Sequence, residues 1–213
     1  MLSDIFSNTI FLIVITVIVS AKAFSNDEMF NKLKFNAYMV MQKKEYGRIF
    51  SHALLHSGWL HLGVNMYVLW SFGRQVEYFF SEPLIFGELA RYGKFFYVLM
   101  YILAVGVATI PALIKHRNNH SYNSVGASGA VSAVVFSLIL FAPKMPMGII
   151  LIPIRLPAYI LGALYLIYSY IMSRRGDTRI AHDAHFAGAV FGFVFPLLLN
   201  PKIILHFFYS IVS

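Results

Sequence analysis

Six apolar stretches, separated by loops that hold most of the charged residues, constrain the fold of this chain more than any other feature. A helix needs about 20 mainly apolar residues to span a bilayer, and in lipid only helices and closed barrels pair all their backbone polar groups. The composition agrees, because 59% of the residues are hydrophobic and only 12% are charged. The sequence therefore predicts an all-α membrane protein, a single domain over residues 1–213 with six transmembrane helices at 5–24, 54–72, 95–114, 125–142, 154–172 and 185–199.

The first apolar stretch is similar to a signal peptide only in part. Ala21-Lys22-Ala23 matches a small-residue cleavage site, but the segment before it carries Asp4 and no Lys or Arg. Signal peptides need positive charge there, so we expect this stretch to be retained as a transmembrane helix.

The absence of cysteine and the distribution of charge narrow the classes of function. Without cysteine the chain has no disulfide, thiol nucleophile or thiolate metal site. The formal net charge of +8 comes from loops on both sides of the predicted membrane. This pattern favours contact with the head groups of a lipid bilayer, and we expect no nucleic-acid partner.

The fourth apolar stretch begins with unusually small side chains, from Ser124 through Gly126, Ser128 and Gly129 to Ala133. Small residues allow a second membrane helix to approach the backbone closely. The hydroxyl of Ser128 would then be accessible from a neighbouring helix and from a bound substrate. The alternative is a packing face whose serine bonds back to its own helix.

Three histidines and an asparagine enter the second stretch, at His52, His56, His61 and Asn65. Polar groups at this depth usually face a bundle interior or a wet cavity. His61 and Asn65 are four residues apart and share a helical face, which predicts two hydrogen-bond donors at a hydrated pocket or, alternatively, polar contacts between helices. His52 and His56 have the same spacing, but a His-Glu-x-x-His metal helix also needs a glutamate. We therefore expect neither a metal nor another cofactor.

The sixth stretch begins at His185, and Gly188 and Gly192 follow on the same helical face as a G-x-x-x-G pair. Spans two, four and six cross the membrane in the same direction, so His61, Ser128 and His185 lie at one depth near one face. A serine hydroxyl becomes a nucleophile when a base within about 3 Å removes its proton. His185 is the best-placed base, and donors at His61, Asn65 and the Ser128 amide are candidates to stabilise a tetrahedral oxyanion.

Taken together, these motifs resemble those of the rhomboid intramembrane serine proteases, and the resemblance extends over nearly the whole chain. The matching motifs are Gly126-x-Ser128-Gly129, His61-x-x-x-Asn65 and His185-x-x-Gly188-x-x-x-Gly192.

The resemblance implies a rhomboid-like bundle of six helices with a Ser128–His185 dyad and no acidic third member. It implies an oxyanion site at His61, Asn65 and the Ser128 amide. The supporting residues are Gly126 and Gly129, with His52 and His56 as candidates for retaining water. The implied activity is cleavage within the transmembrane segments of single-span membrane proteins, in a cell membrane with the site facing outward.

Two positions depart from the family pattern. Many relatives have Trp-Arg in the first loop where this chain has Gly47-Arg48, and some bacterial members have an aromatic residue where this chain has Ser132. That aromatic residue packs on the catalytic histidine. The sequence therefore leaves open how the first loop is anchored and what holds His185 in place.

Loop charge opposes the implied orientation. Eleven of the 17 Lys and Arg residues lie on the side of the site and six on the other, so the positive-inside rule would turn the site toward the cytoplasm. The first loop supplies six of the eleven, and the resemblance places that loop partly in the membrane. We therefore keep the outward orientation as the expectation.

Two other classes of function remain open. A catalytically silent relative that binds or chaperones membrane proteins would share the fold but usually lacks the serine or the histidine. A small transporter would use buried histidines as a proton relay and would not need the glycine-flanked serine. The sequence does not indicate the oligomeric state or the identity of a substrate.

Overall fold

The computed structural model describes residues 7–148, 155–175 and 181–213, which are mostly helical. Each predicted span overlaps one long helix, although the predicted starts at Ile5 and Ile154 lie outside the described residues. Numbered in chain order, the long helices are α1 (Asn8–Ala23), α5 (Trp59–Phe80), α7 (Gly93–His116), α8 (Ser128–Phe141), α9 (Ala158–Arg175) and α10 (His182–Leu199).

Shorter elements fill the connections. The helices among them are α2 (Asp27–Leu33), α3 (Ala37–Lys43), α4 (Arg48–Ser51), α6 (Pro83–Phe86) and α11 (Ile203–Val212), with 3₁₀ turns at His52–Leu54 and Gly87–Tyr92. A two-stranded antiparallel hairpin, β1 (Pro146–Gly148) and β2 (Arg155–Pro157), precedes α9.

Length and hydropathy alone identify two candidate membrane spans among the described residues. They are Pro83–His116, with a mean hydropathy of 2.2, and His182–Leu199, with 1.3. The apolar helices α1 and α8 are shorter, at 16 and 14 residues, and α5 carries Arg74 and Glu77 in its second half.

Helix α5 continues beyond the predicted end at Phe72 to Phe80. The reason lies in Glu77, whose buried carboxylate accepts hydrogen bonds from the backbone amides of Asn8 (2.9 Å) and Thr9 (3.2 Å). A carboxylate at a helix N-terminus pairs amides that lack a partner in their own helix and interacts favourably with the helix dipole. Glu77 therefore joins α5 to α1, and its charge is compensated inside the protein.

Other boundaries also differ from the prediction. Helix α5 begins at Trp59 and not at Leu54, which ends a separate 3₁₀ turn, and α10 begins at His182 and not at His185. Helix α7 contains Pro111 and continues past the predicted end at Ile114 to His116; membrane helices tolerate proline where their neighbours supply other contacts. Helix α8 begins at Ser128 and not at Val125. Gly126 has a φ of +125°, which a right-handed helix cannot contain, so a turn precedes α8.

Helix α8 lies at the centre of the fold, in contact with α5, α7 and α10. Between Gly129 and Phe141 all of its residues except Val135 are buried. The predicted close approach to α10 is observed: a Cβ atom added at Gly188 would overlap the carbonyl oxygen of Gly129, and one at Gly192 would overlap that of Ala133.

The first loop is anchored by Arg48 without an adjacent tryptophan. The Arg48 Nη1 donates to the carbonyl oxygens of Asn31 and Lys34, at 2.8 Å each, and its Nε pairs with Glu45. Nothing lies within 4 Å of a Cβ atom placed at Gly47. The guanidinium group thus holds α2 and the segment before α3 against α4, directly before His52.

We expect Gly192→Ala to destabilise the protein by about 1–3 kcal/mol, because the added methyl group would meet the backbone of α8 and force the two helices apart. The measurement is the thermal unfolding midpoint of the detergent-solubilised protein. Gly63→Ala is the matched control, since nothing lies within 4 Å of a Cβ atom at that helical position. Equal midpoints for the two variants would contradict the packing role of Gly192.

Candidate active site

Ser128 and His185 come together at the N-terminal ends of two adjacent helices. Ser128 is the first residue of α8 and His185 lies in the first turn of α10. The His185 Nε2 is 2.7 Å from the Ser128 Oγ, a distance at which a neutral imidazole accepts the hydroxyl proton. Among the described residues, no carboxylate oxygen forms a hydrogen bond with the His185 ring.

Gly126 brings the turn before α8 against His61. A Cβ atom at this position would lie 2.8 Å from the His61 Cε1 and 3.0 Å from its Nε2. The Gly126 amide donates to the carbonyl oxygen of His52 at 3.0 Å. Gly126 is therefore needed both for its positive φ and for the lack of a side chain, whereas the sequence indicated only small size.

Gly129 allows close packing between α8 and two neighbouring helices. A Cβ atom there would overlap the Cβ of Ala108 on α7 and would lie 3.4 Å from the carbonyl oxygen of Ala184 on α10. The absence of a side chain therefore lets both helices approach the first turn of α8.

The contacts of His61 define which of its nitrogens carries the proton. Its Nδ1 accepts the backbone N–H of Ser57 at 3.4 Å and lies 3.1 Å from the Ser57 Oγ. A backbone N–H can only donate, so in the neutral ring the proton is on Nε2. That edge of the ring faces Gly126, and His61 therefore presents a donor toward the turn before Ser128.

Asn65 is buried one turn further along α5. Its Nδ2 donates to the carbonyl oxygen of His61 at 2.9 Å. This bond uses one of the two amide hydrogens and leaves the second for another acceptor.

His56 and His52 occupy different environments behind the site. His56 is completely buried, and its Nδ1 lies 3.0 Å from the Oγ of Ser20. The Ser20 hydroxyl donates to the carbonyl oxygen of Leu54 at 2.8 Å, so the proton between Ser20 and His56 belongs to Nδ1. The Nε2 of His56 is then a buried acceptor, and it has no hydrogen-bond partner among the described residues.

His52 holds the loop that leads to α8. Its Nδ1 is 3.2 Å from the carbonyl oxygen of Arg48, and its ring packs against Phe35 with centroids 5.6 Å apart. Together with the bond from Gly126, these contacts give His52 a structural position between the first loop and the turn before Ser128.

Ser132 forms its hydrogen bond across to α9. Its Oγ is 3.0 Å from the hydroxyl oxygen of Tyr165. The ring beside His185 is that of His182, with centroids 6.0 Å apart. Sequence reasoning missed His182 and Ser57, although the three-residue spacing of His182 and His185 places them on one helical face.

The described residues contain no group of three or more His, Asp or Glu side chains arranged to hold a metal ion. The chemistry available at the site is that of a hydroxyl, an imidazole base and polar N–H donors.

Comparison with known proteins agrees with the geometry. The sequence profile of the rhomboid domain matches residues 43–202, which include all of the predicted site residues. The chain therefore belongs to the rhomboid family, whose members are membrane proteins. It is similar to presenilin-associated rhomboid-like protein A, mitochondrial, of Danio rerio, with 25% identity over 148 residues. The match covers 64% of this chain but only 33% of that relative.

We expect ¹⁵N spectra of the neutral protein to show the His61 ring protonated at Nε2 and unprotonated at Nδ1, because the Ser57 amide occupies Nδ1. The measurement uses ¹⁵N-histidine-labelled protein in detergent, with a His61→Gln variant to assign the resonances. A proton on Nδ1 would contradict this arrangement.

Proposed function

We propose that this protein is an intramembrane serine endopeptidase that cleaves the transmembrane segments of other membrane proteins. The observation that carries the proposal is the 2.7 Å separation of the Ser128 Oγ and the His185 Nε2. Two residues 57 positions apart are held at hydrogen-bond distance by the backbone contact of α8 and α10. The mitochondrial relative is named only as rhomboid-like, so the activity is argued from the site.

In the proposed mechanism, the Ser128 Oγ attacks the carbonyl carbon of the scissile peptide while its proton passes to the Nε2 of His185. The tetrahedral intermediate collapses when the C–N bond breaks and the imidazolium gives that proton to the leaving nitrogen. Water then attacks the acyl-enzyme, with His185 again accepting a proton and returning it to Ser128. A histidine base of this kind typically contributes about 10²–10⁴-fold to the rate.

Three donors are candidates for the oxyanion site. The Nε2–H of His61 faces the turn before Ser128, and Asn65 has a second amide hydrogen beyond the one bonded to α5. The third is the Ser128 amide at the start of α8, where amides lack partners in their own helix. Each such donor is typically worth about 10²–10³ in rate.

His56 and His52 are proposed to hold the water used in the second half of the reaction. The buried Nε2 of His56 is an acceptor next to the His61 ring, with centroids 4.9 Å apart. Leaving such an acceptor unpaired is costly, and a water molecule that donates to it would be held close to the oxyanion donors. His52 would contribute by fixing the turn that bounds this space.

We further propose that all six long helices span a cell membrane, with single-span membrane proteins as substrates and the site near the outer face. The partly polar helix α5 fits this arrangement because Glu77 is paired with the N-terminus of α1. Its charge therefore faces protein and not lipid. A catalytically silent rhomboid-like binder is the alternative, and the bonded Ser128–His185 pair is the feature that disfavours it.

We expect Ser128→Ala and His185→Ala each to abolish cleavage of a model single-span substrate in reconstituted liposomes, because one removes the nucleophile and the other its base. A fluorophosphonate probe should label wild-type Ser128 and neither variant. Thermal unfolding midpoints near that of the wild type would show that the fold is intact. Cleavage retained by either variant would rule out the dyad, and an inert wild type would favour the silent binder.

The orientation can be measured with single cysteines, since the native chain contains none. We expect Ser121→Cys, in an exposed loop on the side of the site, to react with a membrane-impermeant maleimide in intact cells. Glu88→Cys, exposed at the other end of the bundle, should react only after permeabilisation. The reverse pattern would place the site toward the cytoplasm, as the loop charges suggest.

A further inference from the structure

The base of the proposed dyad needs support for the orientation of its ring. The hydrogen bond to Ser128 fixes one nitrogen of His185, but rotation about that bond remains open. An aromatic residue one helical turn after the serine would pack on the imidazole, yet this chain has Ser132 there, and its hydroxyl bonds to Tyr165. The support must therefore come from another element.

His182 is placed to supply it. The residue is buried, with 4% of its surface exposed, and its ring meets that of His185 at 78°, with centroids 6.0 Å apart. This edge-to-face geometry is a preferred arrangement of aromatic rings. Helical side chains lean toward the N-terminus and onto the residue three positions earlier, so the backbone of α10 directs His185 onto His182.

His182 is itself held by a ring from the neighbouring helix. Tyr168 on α9 packs against it at 85°, with centroids 5.3 Å apart. The one carboxylate beside it in sequence, Asp183, accepts the backbone N–H of Ala184 at 2.9 Å. A column of three rings, Tyr168–His182–His185, thus runs from α9 to the Ser128 hydroxyl.

We propose that His182 is a positioning residue that keeps the His185 ring oriented toward the Ser128 hydroxyl, and that Tyr168 holds the His182 ring in place. This inference rests on the proposed function, since it assigns a role for the same dyad. The column takes the place of the aromatic residue that this chain lacks at position 132. The support depends on the presence of a ring at position 182 and not on its nitrogens.

The test compares His182→Ala, His182→Phe and Tyr168→Ala with the wild type. We expect His182→Ala to lower kcat about threefold to tenfold with KM unchanged, the loss typical of one aromatic pair. His182→Phe should restore most of kcat, and Tyr168→Ala should give a smaller loss in the same direction. Fluorophosphonate labelling of Ser128 should slow in parallel. Ile167→Ala is the matched control, since Ile167 is 57% exposed on the same helix, and it should leave both rates unchanged.

Three results would overturn the inference. One is a wild-type kcat in the folded His182→Ala variant, whatever its thermal midpoint. The second is an equal loss in His182→Phe and His182→Ala, which would assign the effect to the ring nitrogens. In both cases the proposed function would still stand, provided that the wild type cleaves the substrate and is labelled by the probe. A wild type that neither cleaves nor labels would overturn the proposed function and this inference together.

Discussion

The backbone contact between α8 and α10 is the interaction on which the rest of the structure depends. Lipid tails are as apolar as leucine, so bringing helices together in a bilayer gains little from the hydrophobic effect and relies on close packing and hydrogen bonds. Gly188 and Gly192 allow this close packing, because their backbones lie directly against those of Gly129 and Ala133. The Ser137 Oγ adds a hydrogen bond to the Gly192 carbonyl oxygen at 2.6 Å. The first turns of both helices are thereby fixed side by side.

At each end of the bundle, hydrogen bonds of a polar side chain join elements that are distant in sequence. At the end away from the site, Glu77 pairs with the N-terminus of α1. At the site end, the Asn36 Nδ2 donates to the carbonyl oxygens of His120 (2.8 Å) and Tyr122 (3.0 Å). The first loop is therefore joined to the segment that leads into α8. Together with the His52–Gly126 bond, this holds the turn before Ser128 at the same end of the bundle.

The features that could be predicted from the sequence are those that depend on hydropathy and on the direction of the helices. Six apolar stretches predict the long helices, and the shared direction of α5, α8 and α10 brings positions 61, 128 and 185 to one end. Features that depend on distant partners could not be predicted. The extension of α5 needs the amides at Asn8 and Thr9, nearly 70 residues away. The turn at Gly126 and the tautomer of His61 need backbone geometry that composition does not encode.

Helix α9 carries the aromatic support that the sequence of α8 lacks. Tyr165 and Tyr168 are three residues apart and share one face of α9; the first bonds Ser132 and the second packs on His182. Helix α9 therefore contacts both α8, which carries Ser128, and α10, which carries His185. An aromatic residue on α8 would lie on the same helix as Ser128, whereas these two tyrosines lie on a separate helix. In the proposed protease, the geometry between Ser128 and His185 therefore depends on how α9 packs, although α9 carries neither of these two residues.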